Sequence, residues 1–224
     1  MSRDEQAIWD RHWETLGKDR AAFGAIASLY RKSLLSRAVR HFLDKYFVRE
    51  GFFVEAGSGT GQASGRISSD GRRLVALDFS LVALRSAREQ GLHQHFLCAD
   101  IRHLPFKTES VAGIWNLGVM EHFPEADGVE ILREFGRVLE KKGVMVLFWP
   151  PEFGFSRLLL GPIEAIRSRG GRTYRFFPDE VNRLRSLRQA RATMRSAGLE
   201  PVASRVSLRD LFVHVVAIAR KASL

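Results

Sequence analysis

The spacing of apolar and polar positions changes character twice along the chain. Before residue 50 the apolar residues recur at helical intervals. Glu5–Leu16 reads as a short polar helix carrying Trp9 and Trp13 four residues apart. A second helix is expected over residues 20–47, with Ile26, Leu29, Leu34, Ala38, Phe42 and Phe47 on its apolar face. These N-terminal helices (residues 1–50) are expected to pack on the edge of a core built from the residues after them. Over residues 51–150, short and continuously apolar runs alternate with helical patterns. Strands are expected at Phe52–Ala56, Leu74–Asp78, Gln94–Ala99, Ala112–Asn116 and Val144–Trp149, and helices at Leu81–Gln90, closed by Gly91, and at Ala126–Glu140. Such alternation implies right-handed crossovers and a parallel sheet covered on both faces.

After Pro150-Pro151 the pattern breaks. Residues 151–177 read as a cap insertion, with an apolar helix Phe155–Ile166 interrupted by Pro162. A helix Pro178–Ala197 comes next, with Val181, Leu184, Leu187 and Met194 on its apolar face and Gly198 as its cap. Pro201–Leu208 and Leu211–Arg220 read as an antiparallel pair joined at Arg209-Asp210, so residues 178–224 supply a helix and a strand pair. The expected architecture is one α/β domain with a doubly wound, mostly parallel sheet of about seven strands.

Composition narrows the setting. A chain of 224 residues suits one large α/β domain, or one with a small appendage. No apolar run approaches the roughly 20 residues that span a bilayer, and Met1-Ser2-Arg3-Asp4-Glu5 has no apolar signal region, so a cytoplasmic location is expected. The single cysteine, Cys98, excludes an intramolecular disulfide and a cysteine metal cluster. It lies in the apolar run Phe96-Leu97-Cys98-Ala99 and is expected to be buried. The net charge is +10. Nine arginines between Arg167 and Arg195, against Asp179 and Glu180, supply +7 of it. Such a segment is either a solvated face or a surface for an anionic substrate, a nucleic acid or a membrane.

The candidate chemistry centres on Gly57-Ser58-Gly59-Thr60-Gly61. This loop leaves the first strand and is expected to enter a helix at the carboxyl end of the sheet, where open α/β folds bind ligands. A glycine loop alone says only that the ligand is nucleotide-like. Gln62 stands where a dinucleotide fingerprint wants glycine or alanine, which disfavours an NAD-dependent oxidoreductase. Glu55, two residues before the first glycine, favours a cationic group such as the amino group of an amino-acid ligand and repels a pyrophosphate. Asp78 and Asp100 close the next two strands; the first can accept from ribose hydroxyls, the second from an adenine amino group.

Taken together, Val54-Glu55-Ala56-Gly57-Ser58-Gly59-Thr60-Gly61, Leu77-Asp78-Phe79-Ser80, Cys98-Ala99-Asp100-Ile101 with Leu104-Pro105-Phe106, and Asn116 to Phe123 resemble the ordered motifs of the class I S-adenosylmethionine-dependent methyltransferases. The helix Leu132–Leu139, the turn at Gly143 and the closing strand pair fit the same family. The resemblance implies a Rossmann-like fold and S-adenosyl-L-methionine as cofactor. It places Glu55, Ala56, Gly57, Ser58, Gly59 and Gly61 about the methionine part, Asp78 at the ribose, Phe79 beside the adenine, Asp100 and Ile101 at the adenine edge, and Asn116 and Leu117 under the methionyl chain. One departure is plain: where the family often has an acid at the start of the fourth strand, Ala112 or Gly113 occupies that place in this chain.

Methyl transfer from a sulfonium asks chiefly for alignment and exclusion of water; a base is needed only for an acceptor protonated at neutral pH. Glu121 and His122 are the candidates for a base, with a loop-orienting role as the alternative for His122. His93 and His95 lack further ligands at metal-binding spacing, so no metal is expected. Specificity is expected from Trp9 and Trp13 and from Phe153, Phe155, Phe176 and Phe177 of the insertion. The acceptor is expected to be a small or lipid-like molecule. A nucleic-acid acceptor is the alternative, weakened by the lack of an Asn-Pro-Pro-Tyr-type segment after strand four, and a non-catalytic binder is a third reading. Peripheral membrane contact of the insertion is a further expectation, and the sequence leaves the oligomeric state open.

Overall fold

The computed structural model describes residues 3–18, 27–91, 93–152 and 180–222. In chain order the elements are α1 (Arg3–Lys18), α2 (27–46, containing a π-helical turn Arg31–Leu35 and an α-helix Ser36–Tyr46), β1 (Gly51–Ala56), β2 (Arg72–Asp78), α3 (Leu81–Gln90), β3 (His95–Cys98), β4 (Val111–Leu117), α4 (Glu125–Val138), β5 (Leu139–Trp149), α5 (Leu187–Ser196), β6 (Leu199–Val206) and β7 (Val215–Lys221). The seven strands form one sheet in the order β3-β2-β1-β4-β5-β7-β6. Strands β1 to β5 pair in parallel, and β7 runs antiparallel to both β5 and β6. This is the mostly parallel, Rossmann-like sheet with a closing antiparallel pair that the sequence predicts. The strand order reverses between β1 and β4, and the crevice at that switch point is where such sheets take ligands.

Alternation along each central strand divides the core in two. Val54, Val75, Ile114, Met145 and Leu147 join α4 and α5 on one face. Phe53, Leu74, Trp115, Val146 and Phe148 join Val39, Phe42, Leu43 and Phe47, from α2 and the residue after it, on the other. Local signals set the helix ends. The Ser80 hydroxyl accepts from Ala83 N–H at the start of α3, and Gly91 closes that helix with φ +66°; Ser186 does the same for α5 through Gln189 N–H.

Several expectations are corrected. Of the N-terminal helices, α2 covers a face of the sheet rather than the core's edge, and α1 lies over loops at the carboxyl end. The glycine loop opens into a single 3-10 turn, Gln62–Ser64, rather than a helix. The last helix begins at Leu187. Before it, Leu184 bridges Pro151, and the exposed Val181 donates its N–H to the Glu121 carbonyl. Helix α4 stops at Val138 and β5 starts at once, at Leu139. The β6–β7 link occupies residues 207–214, not two residues. Cys98 is exposed because β3 is an edge strand. At Gly113, one of the two residues that could stand where the family has its acid, a Cβ would stand 2.9 Å from both Phe47 Cζ and Phe53 Cδ1. The stacked Phe47 and Phe53 rings fill that space, so a side chain at residue 113 has no room. The insertion helix Phe155–Ile166, Phe153, Phe155, Phe176, Phe177 and the arginines 167–175 lie outside the described residues. Among the described residues, no helix is long and apolar enough to cross a membrane.

Candidate cofactor and acceptor site

The glycine loop is tied to β2 before anything binds it. Gly57 and Ser58 both donate their N–H to the Leu77 carbonyl, at 2.8 and 3.0 Å. Gly59 N–H donates to Asp78 Oδ2 at 2.8 Å, and Ser80 N–H donates to the other oxygen at 2.9 Å. Gly57, Gly59 and Gly61 take φ values of +75°, +52° and +70°, a region that other L residues enter at a cost. At Gly57 the space is also denied, since a Cβ would stand 2.5 Å from Val119 Cγ2. The result is a backbone loop at the carboxyl ends of β1 and β2 whose three glycines carry no side chain.

Acids and an amide surround the cradle. Asp78 is buried, which pushes its carboxyl up to about 6 against the lowering effect of its backbone hydrogen bonds; nearby Glu55 raises it further. Glu55 is also buried, with His93 Nε2 only 2.8 Å from its Oε2. His93 stacks on Trp115 and lies under Gly61. The sequence, in which His93 stands out only as a possible metal ligand, does not show this partnership, because the two residues meet only once β1 and β3 share a sheet. Among the described residues no cluster of three metal-ligating side chains occurs. Asn116 donates Nδ2 to the Ala56 carbonyl at 2.7 Å, and its buried Oδ1 has no hydrogen-bond partner. Asp100 stands at the end of β3 with both oxygens engaged by Arg102, which holds the carboxyl below its usual range despite burial; Arg102 also reaches Glu5 of α1. Phe79 and Leu117 are half-buried, and Ile101 is buried in the core.

Helix α1 closes over this end. Gln6 donates to the Phe79 carbonyl at 3.0 Å, Asp10 accepts from the Ser80 hydroxyl, and Trp9 packs edge-on against Phe79 and His122. Trp13 lies directly on the loop, its ring 2.7 Å from where a Cβ on Gly59 would stand. Trp13 is therefore brought to the glycine loop itself, and Trp9 to Phe79 and His122 beside it. On the far rim, Glu121 is buried and its carboxyl is pushed up to about 8, by burial first and then by Glu180. Burial holds His122 down to about 4.

These shifts predict how stability depends on pH. Folded, Glu121 keeps its proton up to about pH 8; unfolded, only to about its ordinary value of 4.5. The folded chain thus binds more protons in that window, and stability falls as pH rises through it. His12, His41 and His122, all lowered by burial first, act in the opposite sense, mostly below about pH 7, and Asp78 acts only below about 6. Between pH 7 and 8 the Glu121 contribution dominates, a loss of roughly 1 kcal/mol. Denaturant unfolding across that range should show the decline, and Glu121→Gln should flatten it.

Residues 54–147 match the family described as a methyltransferase domain. The malonyl-(acyl-carrier protein) O-methyltransferase of Salmonella typhimurium is 28% identical over 227 residues, covering 85% of this chain and 86% of that protein. The enzyme of the same name from Hamiltonella defensa is 28% identical over 119 residues; the match covers 53% of this chain and spans only 42% of that relative's length. Among solved structures, magnesium protoporphyrin IX methyltransferase from Synechocystis PCC 6803, with bound S-adenosylhomocysteine, shares the fold at a TM-score of 0.67 and 15% identity, over 97% of this chain and 96% of that one. Over residues 54–147 the chain is similar to S-adenosylmethionine-dependent methyltransferases, and its fold is that of the class I enzymes, whose cofactor is S-adenosylmethionine. The residues present fit it. The buried acceptors Glu55, Asp78 and Asn116 suit a ligand bearing an ammonium group and hydroxyls, and the unpartnered Asn116 Oδ1 is one such acceptor still free.

Proposed function

We propose that this chain transfers a methyl group from S-adenosylmethionine to a small or lipid-like acceptor. The observation that carries the reading is the three-glycine cradle pinned by Asp78 at the switch point of the sheet. In this reading Glu55, Ala56, Gly57, Ser58, Gly59 and Gly61 hold the methionine part, Asp78 and Phe79 the ribose and adenine side, Asp100 and Ile101 the adenine edge, and Asn116 and Leu117 the methionyl chain. The bound cofactor supplies a methyl carbon already activated by an adjacent sulfonium. Trp9 and Trp13 on α1 exclude water from the crevice.

Glu121 and His122 suit positioning better than proton removal. Glu121 holds its proton at neutral pH and cannot take another, and His122, with its conjugate acid at about 4, is a weak base. An acceptor that arrives already ionised needs no base, and a carboxylate is such a group. The likeness to the Salmonella enzyme supports the same class. The test is release of S-adenosylhomocysteine on incubation with malonyl thioesters and, in parallel, with alcohol and amine analogues. Turnover confined to the carboxylates supports the reading; turnover confined to the alcohols or amines refutes the choice of acceptor.

A further inference from the structure

The turn between β6 and β7 holds apolar side chains in water at the expense of its own backbone. Leu208, Leu211 and Phe212 are 70%, 46% and 50% exposed. Leu211 and Phe212 take φ values of +60° and +61°, a region bulky side chains rarely enter. The turn is nonetheless fixed. Asp210 is buried, its Oδ2 lies 2.8 Å from His214 Nδ1, and its carbonyl accepts from the Tyr30 hydroxyl at 2.9 Å; Phe212 N–H donates to the Ser207 carbonyl. A strained, well-anchored turn that pushes aliphatic groups into solvent is a feature in search of an apolar partner.

Cations lie beside it. Arg209 is within the turn, and with Lys45 and Arg205 it acts on His41 of α2. His41 helps to line an open cleft of about 550 Å³ with Arg37, Arg40, Lys45 and Arg66, where Asp44 is the one acid. Asp44 is itself occupied by Arg40 and Arg72. Among the described residues, Arg37, Arg66 and Arg209 have no ion pair. The turn follows Val206 and precedes Val215, which pairs with Trp149 at the end of β5, so it stands at the same end of the sheet as the glycine loop.

We propose that the Leu208–Phe212 turn inserts into the interface of an anionic lipid bilayer, with the arginines of the turn and of α2 held against the headgroups. Exposed leucines and a phenylalanine beside a basic face are the composition of an interfacial anchor. A nucleic acid would use the cations and leave the aliphatic groups in water. A folded protein would have to offer a pocket for a projecting turn, whereas lipid deforms around it. Bound this way, the rim of the crevice faces the bilayer, the place from which a lipid-like acceptor would enter; that last step rests on the proposed methyl transfer, and the membrane contact does not.

The test is co-sedimentation of the full chain, without cofactor, with phosphatidylcholine vesicles prepared with and without phosphatidylglycerol. Binding to the anionic vesicles should exceed that to neutral ones by about tenfold and weaken as salt is added. Asparagine adopts positive φ far more readily than leucine or phenylalanine. The double variant Leu211→Asn/Phe212→Asn should therefore melt no lower than the parent chain while losing about tenfold in vesicle binding. Arg37→Glu/Arg209→Glu should lose binding to anionic vesicles only. Equal partitioning with both vesicle types, undiminished binding by the asparagine variant, or retention on RNA or an acidic polypeptide with none on vesicles would overturn the proposal.

Discussion

Asp78→Ala weakens binding of S-adenosylmethionine and S-adenosylhomocysteine by about a hundredfold or more, an expectation drawn from what the carboxylate holds. One oxygen fixes Gly59, the central glycine of the cradle, and the other fixes Ser80. Ser80 caps α3 and meets Asp10 of α1. Truncation leaves two buried N–H groups unpaired and loosens loop, helix and cover together. It also removes the acceptor proposed for the ribose hydroxyls. Asp78→Asn should recover only part of the loss, since its amide nitrogen must face one of the two N–H donors. In the parent chain, affinity should fall as pH drops through about 6, where Asp78 takes up its proton and one oxygen ceases to accept freely. Titrations at pH 5 to 8 check the sign, and affinity rising towards acid would contradict the role given to this carboxylate.

Gly57→Ala has the second large effect, and it acts on stability as well as binding. The residue must adopt φ +75° with its new Cβ 2.5 Å from Val119 Cγ2. The backbone share is about 1–2 kcal/mol and the overlap adds about 1–3 kcal/mol. Two comparisons separate these shares. Gly91→Ala meets an open space at φ +66°, so only the backbone share applies. Adding Val119→Ala to Gly57→Ala should return the steric share alone. Denaturant midpoints of the four proteins measure both quantities. Full recovery in the double variant would show that the positive φ at Gly57 carries no cost.

The contrast between Gly57 and Gly91 reflects how much of the molecule is legible in the sequence. The strands are readable because Phe53-Val54 and Ile114-Trp115 send alternate apolar side chains to two covered faces, and α3 because Ser80 and Gly91 mark its ends. The glycine loop and the strand-end acids place the crevice. What local pattern does not show depends on distant partners. Leu184 has the spacing of a helical residue, but its backbone pairs with Pro150 and Glu152. Leu211 and Phe212 read as strand residues because they are apolar, yet they form an exposed turn anchored by Asp210. The engagement of Glu55 by His93, of Asp100 by Arg102 and of Gly59 by Trp13 depends on how the elements pack against one another. So does the raised carboxyl of Glu121, which comes from burial and from Glu180.

Calorimetric titration of the purified chain with S-adenosylmethionine, S-adenosylhomocysteine and NADH, repeated on Asp78→Ala, tests the central claim most directly. Saturable binding of one sulfur cofactor per chain, lost in the variant and with no heat from NADH, is the predicted result. No binding of either sulfur compound, or equal binding of NADH, would contradict the assignment of this crevice to S-adenosylmethionine.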